Sequence, residues 1–338
     1  MNTIASGHTH ASTMKWLLKR EFWENKGSMF WAPIVVAALL VLLIGGAIVY
    51  GVTMHGAPAY VSINGHTVSH GALSALPVDT RTMVANMAGG MVLAAAAPLF
   101  IMLAFSVFFY CLGALYEERR DRSILFWKSL PVSDGQTVLS KAVTAMLVAP
   151  VITIVLATLA SFVLLFVIGT ALSLHGINVF SAVLASPDLL LTPLRLAAVL
   201  PVYVVWALPT VGWLMLVSGW AKSKPFLWAV GVPVVVNVVM RSINAGLETM
   251  TGQSLLLAHY VSDLVARILG GVVPGIWFTF PGHQPTNLQS TAAHGFDVGS
   301  LVTQSYLSLA GLDAWVGALL GVGMLVAAVR LRRWRDEG

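Results

Sequence analysis

The chain has 338 residues, of which 57% are hydrophobic and 10% are charged, and its mean hydropathy is +0.83. Soluble domains carry about 25% charged residues, so this composition excludes an ordinary soluble protein and indicates one that crosses a membrane several times. The formal net charge is +5, but the basic residues flank apolar segments, where anionic lipid attracts them. The charge therefore gives no support for nucleic-acid binding.

The segment Met14–Lys26 precedes the first apolar run. It places Met14, Leu17, Leu18 and Phe22 at helical spacing among charged residues and two tryptophans. This pattern predicts an amphipathic helix that lies in the membrane interface. Ordinary juxtamembrane charges with tryptophan anchors are the alternative, and they predict the same location.

Six apolar windows of roughly 20 residues, the length that crosses a ~30 Å hydrocarbon core, predict six transmembrane helices. They are Phe30–Val52, Met91–Tyr116, Ala142–Thr170, Leu196–Trp220, Phe226–Ala245 and Ala314–Val329. The predicted fold is an all-α polytopic membrane protein, in which residues 1–29 precede a transmembrane domain over 30–329 and a basic tail covers 330–338. Arg241 interrupts the fifth window and must snorkel to the interface or line a polar interior.

The positions of Lys and Arg predict the orientation of the chain. If the amino terminus is cytosolic, 15 of the 19 Lys and Arg residues fall in cytosolic segments, as the positive-inside rule requires. The exceptions are Arg81, Arg195, Arg241 and Arg267. Both termini are therefore predicted to be cytosolic, in agreement with an even number of spans.

The loop Glu117–Lys141, between the second and third windows, has nine charged residues, yet its centre, Ile124–Trp127, is apolar and aromatic. This combination favours a protein partner over a substrate. We predict a short cytosolic helix over Ser123–Leu130, ended by the proline that follows. Ser133 and Gln136 then form a capping box that opens the third span. A solvated connector is the alternative, but it would not require consecutive apolar residues.

Residues 255–278 lie in the long outer segment before the sixth window and are apolar enough to resemble a seventh span. However, His259, Asp263 and Arg267 recur every four residues and would form a polar stripe on a helix. We predict a surface-lying or re-entrant helix that closes the outer mouth. The stripe is a candidate outer gate or ligand contact; a solvated face with an Asp263–Arg267 ion pair is the alternative.

The windows also restrict the energy source. Apart from Arg241 they contain no Asp, Glu, Lys, Arg or His, the residues that ion-coupled transporters keep as relays. The sequence has no G-x-x-x-x-G-K-[ST] phosphate loop, no H-E-x-x-H and no G-x-S-x-G. We therefore expect no catalytic residue, metal or cofactor on this chain.

The run from Glu117 to Lys141, with its charged start, short apolar helix, Leu130–Ser133 and a lysine that opens a span, resembles the segment between spans two and three of ABC type-2 exporter permeases. These are the membrane subunits of ATP-binding-cassette transporters. The arrangement of the rest of the chain is similar, with an amphipathic amino-terminal helix, six spans and a long outer segment before the last. Residues 53–90 depart from the pattern, because they make an unusually long first outer loop.

The resemblance implies that the short cytosolic helix is a coupling helix, which docks into a cleft of a separate ABC ATPase subunit. By carry-over, the ATPase-docking residues are Asp121, Ser123, Phe126, Trp127 and Lys128. Met14–Lys26 corresponds to the connecting helix. The resemblance also implies a second permease protomer, identical or different, with ATP and Mg bound by the ATPase, and contact with membrane lipid. Its location would be the bacterial inner membrane and its substrate amphipathic or hydrophobic.

Two other classes of protein stay open at this point. A polytopic membrane enzyme acting at the outer interface would depend on His259, Asp263 and Arg267 or on the histidines of the first outer loop. A membrane scaffold or assembly factor would have a docking loop but no motion linked to transport.

Overall fold

The computed structural model describes residues 10–55, 60–63, 66–69, 78–121, 132–175, 187–252, 254–280 and 298–334. The helices are α1 (His10–Glu24), α2 (Ala32–Leu40), α3 (Gly46–His55), α4 (Val78–Gly113), α5 (Tyr116–Arg120), α6 (Asp134–Val143), α7 (Ala149–Leu174), α8 (Pro187–Ala198), α9 (Leu200–Trp220), α10 (Val232–Thr251), α11 (Leu256–Gly270), α12 (Val298–Leu307) and α13 (Leu312–Trp334). Single π-helical turns cover Gly27–Trp31, Val41–Gly45, Thr144–Val148 and Leu227–Gly231, and a 3₁₀ turn covers Ile276–Thr279.

Six helical stretches are long and apolar enough to span a membrane, which confirms the predicted number. They are span 1 (Gly27–His55), span 2 (Ala96–Arg120), span 3 (Asp134–Leu174), span 4 (Leu191–Trp220), span 5 (Leu227–Thr251) and span 6 (Leu312–Trp334). Most extend beyond the predicted windows, because polar residues at their ends continue the helix. Span 3, with 41 residues, is about 60 Å long and projects beyond a ~30 Å hydrocarbon core.

A small antiparallel hairpin is the departure from helix within the described residues. Strand β1 (Tyr60–Ile63) pairs with β2 (His66–Ser69), with Tyr60 opposite Ser69 and Ile63 opposite His66. The sequence carries the signal for it, since Asn-Gly between two short runs rich in β-branched residues is a common hairpin connection. Outside this hairpin the described residues are helical apart from turns, so the predicted all-α fold class holds.

Span 4 forms the centre of the bundle. Of its most apolar stretch 56% is buried, against 6% in span 5 and 11% in span 1. The side chains of Val202, Trp206, Val211, Leu214 and Met215 are fully enclosed. Spans 1 and 5 therefore lie at the periphery, with most of their surface open to lipid or to another chain.

Helices α9 and α13 touch through their backbones. A Cβ atom added to Gly321 would lie 2.7 Å from the Pro209 nitrogen, and one added to Gly212 would overlap the Gly321 carbonyl oxygen. Small residues allow such close approach in membranes, where van der Waals packing drives helix association. The small-x-x-x-small pattern of Gly317 and Gly321 in the sequence therefore marks a true packing face.

Helix α11 folds back beside α10. The side-chain oxygen of Asn244 accepts from the Leu255 amide at 2.5 Å, and Ser262 Oγ donates to Asn237 Oδ1 at 2.8 Å. At its other end, the Arg267 carbonyl accepts from Thr210 Oγ1 at 2.5 Å, near the middle of α9. With 15 residues, α11 is about 23 Å long, too short to span. Its carboxyl end packs into the bundle, while the choice between the predicted surface-lying and re-entrant arrangements depends on the position of the membrane and stays a prediction.

Gly321→Val should destabilise the protein by about 1–3 kcal/mol or more, because the added atoms meet backbone that cannot move aside. Gly323→Val is the matched control, since nothing lies within 4 Å of a Cβ at Gly323. Thermal unfolding of both purified variants in detergent measures the difference. Equal melting temperatures would contradict the backbone contact.

Candidate functional site

The predicted docking segment is described only at its first residue. Asp121 is exposed, and its Oδ1 lies 3.2 Å from Arg120 Nε. The other four predicted docking residues, Ser123, Phe126, Trp127 and Lys128, lie outside the described residues. The helices that precede and follow this segment, α5 and α6, are described, and their side chains make the contacts given below.

The loop ends in the predicted capping box. Ser133 Oγ accepts from the Gln136 amide at 3.2 Å, and Gln136 Oε1 accepts from the Ser133 amide at 3.3 Å. Two amides that would lack partners at the start of α6 are thereby satisfied. The prediction is confirmed, and span 3 begins at a fixed point directly after the loop.

Three acidic and three basic side chains gather where α5 ends and α6 begins, and we name them the charge cluster: Arg20, Glu21, Glu118, Asp134, Lys141 and Arg332. At its centre, Lys141 Nζ lies 3.1 Å from Glu21 Oε1 and 3.0 Å from Glu118 Oε1. Glu21 is 0% exposed and Lys141 4%. One lysine of span 3 therefore joins a carboxylate of α1 to a carboxylate at the end of span 2.

Arg332 connects the end of span 6 to the same cluster. Its NH1 atom lies 2.6 Å from Glu118 Oε2, and its Nε donates to Asp134 Oδ1 at 3.0 Å. Glu118 is therefore shared between Lys141 and Arg332. Glu118 and Asp134, which precede and follow the segment 122–131, are therefore both bound to the last helix of the chain.

Glu21 has two further partners. Arg20 NH2 lies 2.5 Å from Glu21 Oε1, and the Tyr110 hydroxyl donates to Glu21 Oε2 at 2.8 Å. Buried carboxylates are costly unless paired and hydrogen-bonded, and here both oxygens are satisfied. At the edge of the cluster, the half-exposed Glu24 lies 3.5 Å from Arg20 Nε, so the acidic side chains in this region outnumber the basic ones by one.

Span 4 is fastened to the same region through neutral contacts. Arg119 NH2 donates to the carbonyl oxygens of Ser218 at 2.5 Å and Ala221 at 2.9 Å. Ser218 Oγ accepts from the amides of Leu115 and Tyr116, each at 2.9 Å. Arg119 thereby satisfies carbonyls that a helix end leaves without partners. The segment that leads into the docking loop is attached to the central helix of the bundle.

The three residues of the predicted outer stripe, His259, Asp263 and Arg267, do not share one environment. His259 Nε2 lies 3.6 Å from Asp263 Oδ2, and both side chains are substantially exposed. Arg267 is instead buried. Each step of four residues advances about 40° beyond a full turn, so Arg267 lies about 80° around the helix from His259. The expected Asp263–Arg267 ion pair is corrected, because Arg267 has other partners.

Arg267 fixes the start of α13. Its guanidinium donates to the carbonyl oxygens of Asp313 and Ala314, the second at 3.2 Å, and lies 4.1 Å from the centre of the Trp206 ring. Gly317 makes room for it, since a Cβ there would lie 2.6 Å from the guanidinium carbon. This arrangement is a structural clamp between α11, α9 and α13.

The sequence did not predict the cluster, although three of its six members, Glu118, Asp134 and Lys141, are among the charged residues of the loop Glu117–Lys141. The signal was present for Glu21, which follows Leu17 by four residues and so shares its buried face. It was also present for Lys141, which lies at the start of an apolar span. Which partner each charge takes depends on the tertiary packing of α1, span 2 and span 6.

Comparison with protein-family models, curated proteins and solved structures finds no match to this chain. The part of the chain that the structure describes contains no group of three metal-ligating side chains. Its six apolar helices define a multi-pass α-helical membrane protein. Any finer function must be argued from the loop and the charge cluster.

Lys141→Met should destabilise the protein by about 3–5 kcal/mol, because it leaves two carboxylates without their shared partner. The double variant Glu21→Gln with Lys141→Met should lose less than the sum of the two single variants. Lys15→Met, at an exposed lysine, is the control and should stay within ~0.5 kcal/mol of the parent. Thermal unfolding in detergent measures the stability of Lys141→Met, Glu21→Gln, the double variant and Lys15→Met. Strictly additive losses in the double variant would contradict the ion pair between Glu21 and Lys141.

Arg267→Met should lower the stability by about 1.5–3 kcal/mol, since charged hydrogen bonds to two carbonyls are lost. Asp263→Ala, one helical turn away on the exposed face, should change it by no more than ~0.5 kcal/mol. A larger loss of stability for Asp263→Ala than for Arg267→Met in a thermal unfolding assay would contradict the structural role given to Arg267.

Proposed function

We propose that the protein is the permease subunit of an ABC exporter. It moves an amphipathic or hydrophobic substrate across the bacterial inner membrane, with ATP hydrolysed by a separate ATPase subunit. The observation that carries the proposal is the set of ion pairs made by the residues directly before and after the loop 122–131. Both flanks of this loop are tied by the charge cluster to α1, span 2, span 3 and span 6, an arrangement suited to receiving force from a partner.

The orientation follows from the same cluster. Glu118 lies 2.6 Å from Arg332 and 3.9 Å from Arg20, so the first helix and the end of the last helix meet at one end of the bundle. That end is rich in Lys and Arg, and the positive-inside rule assigns it to the cytosol. The docking loop then faces the compartment that holds ATP.

The transmission of motion has a defined route in this proposal. An ATPase that displaces the loop also displaces α5 and α6, the helices on its two flanks. Lys141 and Glu118 pass the displacement to α1, Arg332 passes it to span 6, and Arg119 passes it to span 4. Because buried ion pairs resist separation, these helices move together rather than bending at the loop.

A second protomer is supported by the surface of span 5. Arg241 is exposed there, and its Nε lies 3.3 Å from Ser262 Oγ. Arg241 is about 15 Å along α10 from Thr251, and a charged side chain at such depth is costly against lipid. We infer that this face lies against a second permease protomer or a polar pathway between two protomers. The sequence had left Arg241 between an interfacial and an interior position.

The docking assignment predicts the effect of Phe126→Ala combined with Lys128→Glu. This variant should lose roughly 30-fold or more in ATPase binding, because a buried aromatic hot spot contributes about 2 kcal/mol or more. Co-purification from host membranes through a carboxy-terminal tag measures the loss. Phe226→Ala with Lys224→Glu, in the loop between spans 4 and 5, is the matched control and should retain the ATPase.

Membrane insertion and thermal stability should be unchanged in both double variants. Full retention of the ATPase by the Phe126 and Lys128 variant would remove the docking assignment. If the parent protein itself brings no ATPase, a membrane enzyme or scaffold becomes the better description.

A further inference from the structure

A cavity of about 370 Å³ lies between spans 2, 3 and 4, near the end of the bundle away from the charge cluster. Leu200 and Tyr203, in the first turn of α9, line it, whereas Ala221 at the other end of that helix contacts Arg119. Its other walls come from α4, α7, the turn after α11 and α12. Because α9 is about 30 Å long, the cavity and the docking loop are separated by most of the bundle.

The walls of the cavity are apolar and aromatic. Phe100, Ile154, Leu196, Trp277 and Phe278 are among the bulky residues that line it. The polar groups in the wall are already satisfied: Tyr203 donates to the Val272 carbonyl at 3.3 Å, and Ser305 Oγ accepts from Trp277 Nε1 at 3.1 Å. Neither needs a ligand, so the interior offers a surface for hydrocarbon.

The volume suits a ligand rather than water. Small-molecule sites commonly measure ~300–1,000 Å³, and an apolar cavity of about 150 Å³ already binds benzene. A water molecule needs two to four polar partners, which these walls do not provide. The cavity has room for a hydrocarbon chain.

Arg195 brings a positive charge to the wall of the cavity, and because a guanidinium has five N–H donors it can serve a ligand in addition to the interaction that it already makes within the protein. Among the described residues that line it, Arg195 is the charged one, and it lies in the last turn of α8, directly before span 4 enters the bundle as α9. A guanidinium pairs with carboxylate and phosphate groups through two parallel hydrogen bonds. An apolar chamber with a cationic rim is complementary to an acidic group on a hydrocarbon chain.

We propose that this cavity binds one acyl chain of an anionic amphiphile whose acidic headgroup pairs with Arg195. The orientation rests on the proposed function, which places Arg195 at the outer interface, where headgroups lie. The inference thereby narrows the substrate class from any hydrophobic molecule to acidic lipid-like amphiphiles. It also gives the outer half of each protomer a binding site of its own.

The test uses the full-length protein, purified in detergent without any ATPase, and a diazirine-bearing palmitate. Photolabelling should fall on peptides from spans 2, 3 and 4 that line the cavity. A diazirine-bearing hexadecanol of equal chain length and an alkyl trimethylammonium probe should label these peptides about tenfold less. Equal labelling by the three probes, or labelling spread over the lipid-facing surface, would overturn the proposal.

Two pairs of variants locate the chain and the headgroup. Ala97→Trp fills the cavity and should abolish palmitate labelling there, whereas Ala38→Trp, at an exposed alanine of span 1, should leave it unchanged. Arg195→Gln should reduce palmitate labelling about tenfold to the hexadecanol level, and Arg195→Lys should restore much of it. Arg330→Gln controls for loss of a basic residue. If Arg195→Gln does not fold, the probe comparison and Ala97→Trp still decide the matter.

Because labelling is measured on the isolated chain, it is independent of ATPase binding. Cavity labelling without an ATPase in co-purification would support the site and remove the exporter assignment. An ATPase in co-purification without selective labelling would keep the exporter assignment and overturn the site.

Discussion

The lysine at the start of span 3 that is shared between two carboxylates is the interaction on which the rest of this structure depends. Lys141 lies 3.1 Å from Glu21 and 3.0 Å from Glu118 in a buried environment. A charge in such a place is tolerated only when opposite charges and hydrogen bonds surround it. The arrangement therefore fixes where α1, the end of span 2 and the start of span 3 lie, since any relative displacement would leave a buried charge without a partner. Arg332 extends the same constraint to span 6.

The remaining architecture follows from that fixed end. Span 6 begins at the Arg267 clamp and ends in the charge cluster, and between these points it lies against α9 at Gly321. Span 4 is thus held along its length by glycine contact and at its end by Arg119. Spans 1 and 5 contribute little to this core, so they are the elements with surface to offer to lipid or to a second protomer. A rigid centre with peripheral helices is compatible with the proposed docking of an ATPase at the end of the bundle that holds the charge cluster.

The spans could be predicted from sequence because an apolar window of sufficient length has few alternatives in a membrane. The capping box could also be predicted, since Ser133 and Gln136 interact locally. Local periodicity was not sufficient for the stripe on α11: it placed Arg267 beside Asp263, whereas the drift of the helix turned Arg267 towards Trp206 and the start of α13. The charge cluster could not be predicted either, because Glu21 and Lys141 are 120 residues apart and only tertiary packing brings them together.

We propose that a separate ATPase docks at the loop formed by residues 122–131. The most direct measurement is to purify the tagged protein from its native membranes and to identify by mass spectrometry what accompanies it. We expect a soluble protein with a phosphate loop, in stoichiometric amount, that crosslinks to residues 122–131. A stable protein that is purified without any ATPase, or an ATPase that crosslinks only to other surfaces, would contradict it.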